Sequence, residues 1–145
     1  MTILITGATG FIGSHLLKFL KQQEFKIYAL LGRSNSIPED DEVEWISDKQ
    51  LSKLYEQNLK INVMIHLATY FTSKHSWEDI DGLINTNIKL GVKLLEIAKI
   101  HDSKFINTSS FAQKISENYQ FPQNLYAQTK KSFQDILRYY CSNEE

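Results

Sequence analysis

Short apolar runs rich in β-branched residues alternate with longer segments of helical period along nearly the whole chain, and that alternation admits few folds. ILIT at 3–6 reads as a buried strand, and FIGSHLLKFLKQQ behind it sets apolar residues at 11, 12, 16, 17, 19 and 20 on one helix face. KIYALL at 26–31 and VEWI at 43–46 predict two more strands, the latter followed by a helix over DKQLSKLYEQN. INVMIHLA at 61–68 predicts a fourth strand, largely apolar, as befits one covered on both faces. A long helix is expected over 77–100, a fifth strand over KFINTSS at 104–110, and a closing helix over NLYAQTKKSFQDILRYY. Elements in this order predict a doubly wound α/β fold: a parallel sheet of strand order 3-2-1-4-5 joined by right-handed crossovers.

The 145 residues suffice for one domain with a sizeable core. A net charge of −1, with no segment that combines Lys and Arg with aromatics, argues against a nucleic-acid partner. The lone cysteine, Cys141, cannot close an internal disulfide, which fits a reducing cytoplasm. His15, His66, His75 and His101 show no zinc-ligand spacing, so no metal is expected. The opening MTILITGATG has neither the basic region of a signal peptide nor the length of a membrane span.

Between the first strand and the first helix lies TGATGFIGSHL, with glycines at 7, 10 and 13. The spacing GxxGxxG differs from the commonest dinucleotide fingerprint, but the physical demand is similar. Gly7 permits a sharp turn out of the strand, Gly10 lets backbone approach a pyrophosphate, and Gly13 lets the helix sit tight on the sheet. Backbone N–H groups at the helix start would then face the phosphates, favoured by the positive end of the helix dipole. A tight strand-to-helix turn without a ligand is the plain alternative. With the ligand, this is a dinucleotide-binding (Rossmann) domain.

The end of the second strand bears on which dinucleotide. An acidic residue about 20 residues past the glycines would hold the ribose 2′-hydroxyl of NAD. ALLGRSNS instead supplies Leu31, Gly32, Arg33 and Ser34 there. An arginine fork can grip a 2′-phosphate bidentately, so NADP(H) is preferred and NAD(H) remains possible. Asp48, after the third strand, could accept from the adenine amino group or could cap the next helix.

NLYAQTKKSF at 124–133 holds Tyr126 and Lys130 four positions apart, hence on one helix face. Ser109 and Ser110 end the predicted fifth strand, and ligands of such sheets sit beyond the carboxyl ends of the strands. Strand alternation would point Ser109 to the other face, leaving Ser110 as the candidate.

GATGFIG, HLA closing the fourth strand, Asn87 inside NTNIKLGVKLLE, TSS closing the fifth strand, and YxxxK together resemble the extended short-chain dehydrogenase/reductases, the epimerase/dehydratase group that acts on nucleotide-sugars. IHLATYF, VKLLEIA, FINTSSFAQK and LYAQTKKSFQDI look most like its CDP-sugar 4-reductases, which serve O-antigen synthesis by making sugars such as CDP-abequose and CDP-paratose. The short gap between Ser110 and Tyr126 fits that subgroup better than the epimerases. The resemblance covers Thr2 to about Tyr139.

The resemblance implies an NADPH-dependent reduction of a 4-keto nucleotide-sugar of the CDP-4-keto-3,6-dideoxyhexose type. Tyr126 would be the general acid at the C4 oxygen and Ser110 would orient that carbonyl. Lys130 would hold the nicotinamide-ribose hydroxyls, and a nearby cation makes a phenol a more effective acid at neutral pH. Thr9, Phe11, Ile12, Leu67, Ala68, Thr69 and Thr108 would line the cofactor, with Asn87 in a structural or water-relay role. Tyr70 and Phe71 would reach the substrate or pack in the core.

A homodimer through the long and closing helices is implied as well, using Ile84, Ile88, Val92 and Leu95 with Phe133, Leu137 and Tyr140. Packing on the sheet would use the same residues. The expectation for 1–145 is the dinucleotide-binding domain alone, because such proteins continue for roughly another domain's length, which holds the substrate lobe. Two other readings stay open: an epimerase or dehydratase on the same scaffold, and a non-catalytic NADP-binding sensor. Phe111 and Ala112 stand after Ser110 where a dehydratase usually carries an acidic pair.

Overall fold

The computed structural model describes residues 1–32, 38–56, 60–113 and 122–142. Five parallel strands form one sheet: β1 (Thr2–Thr6), β2 (Lys26–Leu30), β3 (Val43–Ile46), β4 (Val63–His66) and β5 (Lys104–Asn107). Their order is β3-β2-β1-β4-β5, as the alternation in the sequence predicts. Helix α1 (Phe11–Lys21) follows β1 and α2 (Asp48–Glu56) follows β3. Helices α3 (Ile80–Ile84) and α4 (Leu90–His101) lie between β4 and β5 in the chain, and α5 (Leu125–Ser142) comes last. The residues group into two units, a sheet unit of Met1–Ala68 with Glu96–Asn107 and a helical unit of Thr69–Leu95 with Thr108–Glu145.

In the sheet unit the central strand is buried on both faces, since the adjacent residues Leu4 and Ile5 are each fully covered. Ile3, Ile5, Ile27, Ala29 and Ile65 share one cluster with Leu17 and Leu20 of α1. Each large aliphatic side chain there contributes about 1.5–3 kcal/mol by leaving water. Both β4 and β5 are shorter than their apolar runs suggest. After His66 the backbone N–H of Ala68 donates to Thr6 Oγ1 (3.1 Å) instead of to a strand carbonyl. The ladder between β4 and β5 therefore ends at the pair His66 and Asn107, and residues 108–110 lie outside the strand.

The predicted long helix is four pieces. A 3₁₀ turn (Trp77–Asp79) leads into α3, a π-helical turn (Asn85–Lys89) follows, and α4 completes the span. The Asp79 carboxylate starts it by accepting from the N–H and O–H of Ser76 (2.7 and 2.9 Å). Of the side chains expected at a dimer interface, Leu95 and Phe133 are buried within the chain, whereas Ile84 is exposed.

Phe133 is fully buried because Gly91 makes room for it: a Cβ at 91 would lie 2.5 Å from the ring Cζ. Gly91→Ala should cost about 1–3 kcal/mol in urea unfolding through overpacking. Adding Phe133→Leu should recover part of that loss. An unchanged midpoint for Gly91→Ala would show that this contact does not set the spacing of α4 and α5.

Candidate functional site

Gly7 turns the chain out of β1 at a φ of 72°, a left-handed conformation that favours glycine. A Cβ there would also stand 2.7 Å from the backbone nitrogen of Ala68. A Cβ on Gly13 would overlap Gly7 O and come within 2.8 Å of Ala8 Cα, so the first turn of α1 lies directly against the loop. Gly10 supplies no capping side chain, and no acidic residue occupies that first turn. Its N–H groups keep their positive end uncompensated, with Lys18 and Lys21 placed in the last turn. This cradle fits an anionic diphosphate. Thr9, Phe11 and Ile12 are exposed around it, and Leu67 and Ala68 are half-buried at the end of β4.

Thr6 Oγ1 lies 2.8 Å from His66 Nδ1, both side chains being buried at the carboxyl ends of β1 and β4. Arg33 and Ser34 lie outside the described residues. Asp48 is the first residue of α2, and Ser47 occupies the cap position instead. The N–H and O–H of Ser47 both donate to Gln50 Oε1 (2.8 and 2.9 Å), which displaces the capping alternative for Asp48.

The helical unit holds Ser110, Tyr126 and Lys130. Helix α5 is capped by Asn124, whose Oδ1 accepts from Ala127 N–H (2.8 Å). Tyr126 and Lys130 are 9% and 3% exposed, one turn apart on its buried face. The ring of Phe71 meets Tyr126 edge-on at 4.9 Å while itself remaining exposed. Burial pushes the Lys130 ammonium below the ordinary lysine pKa. No carboxylate pairs with it among the described residues.

Strand alternation does not separate the two serines, because β5 ends before both; Gln113 bonds them differently. Gln113 Oε1 accepts from Ser109 O–H (2.5 Å) and from Ser110 N–H (2.8 Å). Ser109 has thereby committed its hydroxyl proton. Ser110 Oγ instead accepts from Ala112 N–H (3.3 Å), which leaves its own proton to donate. Thr108 is half-buried just before them.

Asn87, buried in the π turn, uses both ends of its amide. Oδ1 accepts from Thr69 O–H (3.0 Å) and Tyr70 N–H (2.8 Å), while Nδ2 donates to Tyr70 O (2.9 Å) and Thr129 Oγ1 (3.0 Å). Those bonds fill the amide's donors and acceptors, which favours the structural role over the water relay. Sequence reasoning missed Asn124, Gln113 and Thr129. The first carries a signal, an Asn just before a helical run. Gln113 carries one too, the Ser-x-x-Gln spacing of a capping box, whereas the bond from Asn87 to Thr129 joins residues that no local pattern links.

Among the described residues no helix is long and apolar enough to cross a membrane, and no three metal-ligating side chains cluster. A parallel sheet of this order, with a glycine turn leading from β1 into an uncapped helix, defines the dinucleotide-binding class of α/β proteins. Within that class, residues 3–145 match the NAD dependent epimerase/dehydratase family, and the chain belongs to it. The CDP-abequose synthase of Salmonella typhimurium is 33% identical over 150 residues, covering 97% of this chain and 48% of the synthase.

Among solved structures, the UDP-glucuronic acid 4-epimerase of Bacillus cereus in complex with NAD matches at a TM-score of 0.74 and 28% identity, covering 99% of this chain and 52% of that one. MoeE5 in complex with UDP-glucose and NAD matches in fold at a TM-score of 0.79 and 22% identity, over 99% and 50% of the two chains. The chain thus spans about half the length of the relatives it matches.

Burial of Lys130 makes a signed prediction. Its pKa is lowered on folding, because burial disfavours the charged form. Stability should rise with pH between the lowered value and the ordinary 10.5, where the unfolded state binds more protons. Lys130→Met, without cofactor, should therefore unfold at higher urea than the parent near neutral pH. The gap should close as pH climbs toward the ordinary lysine range, and a gap independent of pH would count against the buried-charge account.

Proposed function

We propose that this chain supplies the cofactor cradle and the proton donor of an NADPH-dependent reductase acting on a 4-keto nucleotide-sugar, of the CDP-4-keto-3,6-dideoxyhexose type. The observation that carries the reading is Lys130, a nearly fully buried cation one turn beyond the buried phenol of Tyr126. Burying an ammonium costs stability, and a ligand that accepts its N–H donors offsets that cost. The hydroxyls of a ribose are such acceptors.

NADPH, when bound, supplies the hydride. The glycine turn and the first turn of α1 would hold its diphosphate by backbone N–H groups. Ser110 would donate its free proton to the C4 oxygen of the sugar and fix the carbonyl. Tyr126 would transfer the phenolic proton to that oxygen as hydride reaches C4, so that ketone, hydride and proton become one alcohol. Lys130 would stabilise the phenolate left behind and hold the ribose hydroxyls.

NADPH is the proposed donor because Arg33 and Ser34, and no acidic residue, follow Leu31 and Gly32 after β2. NAD(H) is the alternative, as in the Bacillus cereus epimerase structure. The CDP-abequose synthase relative supports a CDP-sugar substrate. A homodimer through α4 and α5 would have to rely on side chains other than Leu95 and Phe133, which are buried within the chain. An epimerase would return its hydride to the sugar, so net consumption of NADPH separates the two chemistries.

The test is oxidation of NADPH by the full-length protein with a CDP-4-keto-3,6-dideoxyhexose. Tyr126→Phe should lower kcat by about 10²–10⁴-fold while the Kd for NADPH stays within about twofold. Full turnover by Tyr126→Phe would overturn the assignment. Epimerisation of the sugar without net NADPH loss would move the protein to the epimerases.

A further inference from the structure

We propose that Thr129 is a positioning residue for Tyr126, coupling the tyrosine's turn of α5 to the buried amide of Asn87; this rests on the proton-donor role of Tyr126 proposed above. Thr129 is 2% exposed, and its hydroxyl bonds to two groups, Tyr126 O at 2.7 Å and Asn87 Nδ2 at 3.0 Å. The directions are fixed by chemistry. A carbonyl oxygen only accepts, so the single hydroxyl proton of Thr129 goes to Tyr126 O. Asn87 must then present its donor end to Thr129, which turns Oδ1 toward Thr69 O–H and Tyr70 N–H, where both bonds are made. One arrangement satisfies every partner.

The chain of bonds holds Tyr126 at two places. Its carbonyl is held by Thr129. Its ring meets Phe71, the neighbour of Tyr70, whose N–H and C=O are both bonded to Asn87. The phenol is therefore fixed by backbone and ring contacts that converge on one amide, and its own hydroxyl takes no part in them. A residue holding a reacting group in this way acts on the rate, since displacement by about 1 Å can cost about 100-fold. Thr129 touches neither the proposed hydride donor nor the C4 oxygen in this role, which separates it from Tyr126, Ser110 and Lys130.

The test compares full-length wild type, Thr129→Val, Thr129→Ser and Tyr126→Phe, with NADPH and the CDP-4-keto-3,6-dideoxyhexose as probes. Valine keeps the shape of threonine but removes both bonds, while serine restores them. Thr129→Val should lower kcat by about 10–100-fold, with KM for the keto-sugar and Kd for NADPH within about twofold of wild type. Thr129→Ser should return kcat to within about threefold of wild type. Wild-type kcat in Thr129→Val, or equal impairment in Thr129→Ser, would overturn the inference while an inactive Tyr126→Phe left the proton-donor reading standing. A Thr129→Val variant that loses NADPH affinity and kcat together would show a merely structural residue and overturn it as well. An active Tyr126→Phe, or a wild type that turns over neither probe, would overturn the underlying reading and the inference with it.

Discussion

Helix α1 can begin where it does only because Gly13 carries no side chain at its contact with the loop. The carbonyl of Gly7 and the Cα of Ala8 occupy the space a Cβ would need. That contact brings the first helical turn against the end of β1 and leaves its N–H groups without an acidic or capping partner. Natural helices often cap such groups with Ser, Thr, Asp or Asn. Here Gly10 stands at the cap, so the electropositive end keeps no side-chain partner. The turn at Gly7, the β4 end at Ala68 and the buried aliphatic cluster behind them are all arranged around that one close approach.

The helical unit follows a different economy. Its polar core is not neutral packing but a set of directed bonds from Asn87, together with a lysine buried without a carboxylate among the described residues. Regular α-helix would leave Asn87 in a different register, and the π turn sets it where its amide meets residues 69, 70 and 129. Such irregularity sacrifices some helix regularity for placement of particular groups. Burial of Lys130 is a second cost in the same unit.

Much of this was legible in the sequence. The strand order and the position of every strand followed from apolar runs and glycine punctuation, because period and burial are local signals. The span of the long helix was right, but its π turn was not visible, since it depends on bonds between residues 17 to 42 positions apart. The overlong fifth strand had a similar cause. FINTSS opens on the β-favouring Phe105 and Ile106, yet Thr6 captures the Ala68 N–H and the ladder ends at Asn107. Ser110 was singled out for a reason that failed, the alternation of a strand that does not reach it. Gln113 binds both serines, and the spacing Ser110-x-x-Gln113 ahead of a helical turn was a capping-box signal that went unread. The roles proposed for Tyr126 and Lys130 rest on family resemblance, while the structure adds that both side chains are buried one turn apart on α5.

The proposed function depends on the glycine cradle holding the diphosphate of a dinucleotide. The most direct measurement is a calorimetric titration of the protein with NADPH and with NADH. NADPH should bind at least about tenfold tighter than NADH, about 1.4 kcal/mol in its favour. No heat of binding with either nucleotide would contradict it.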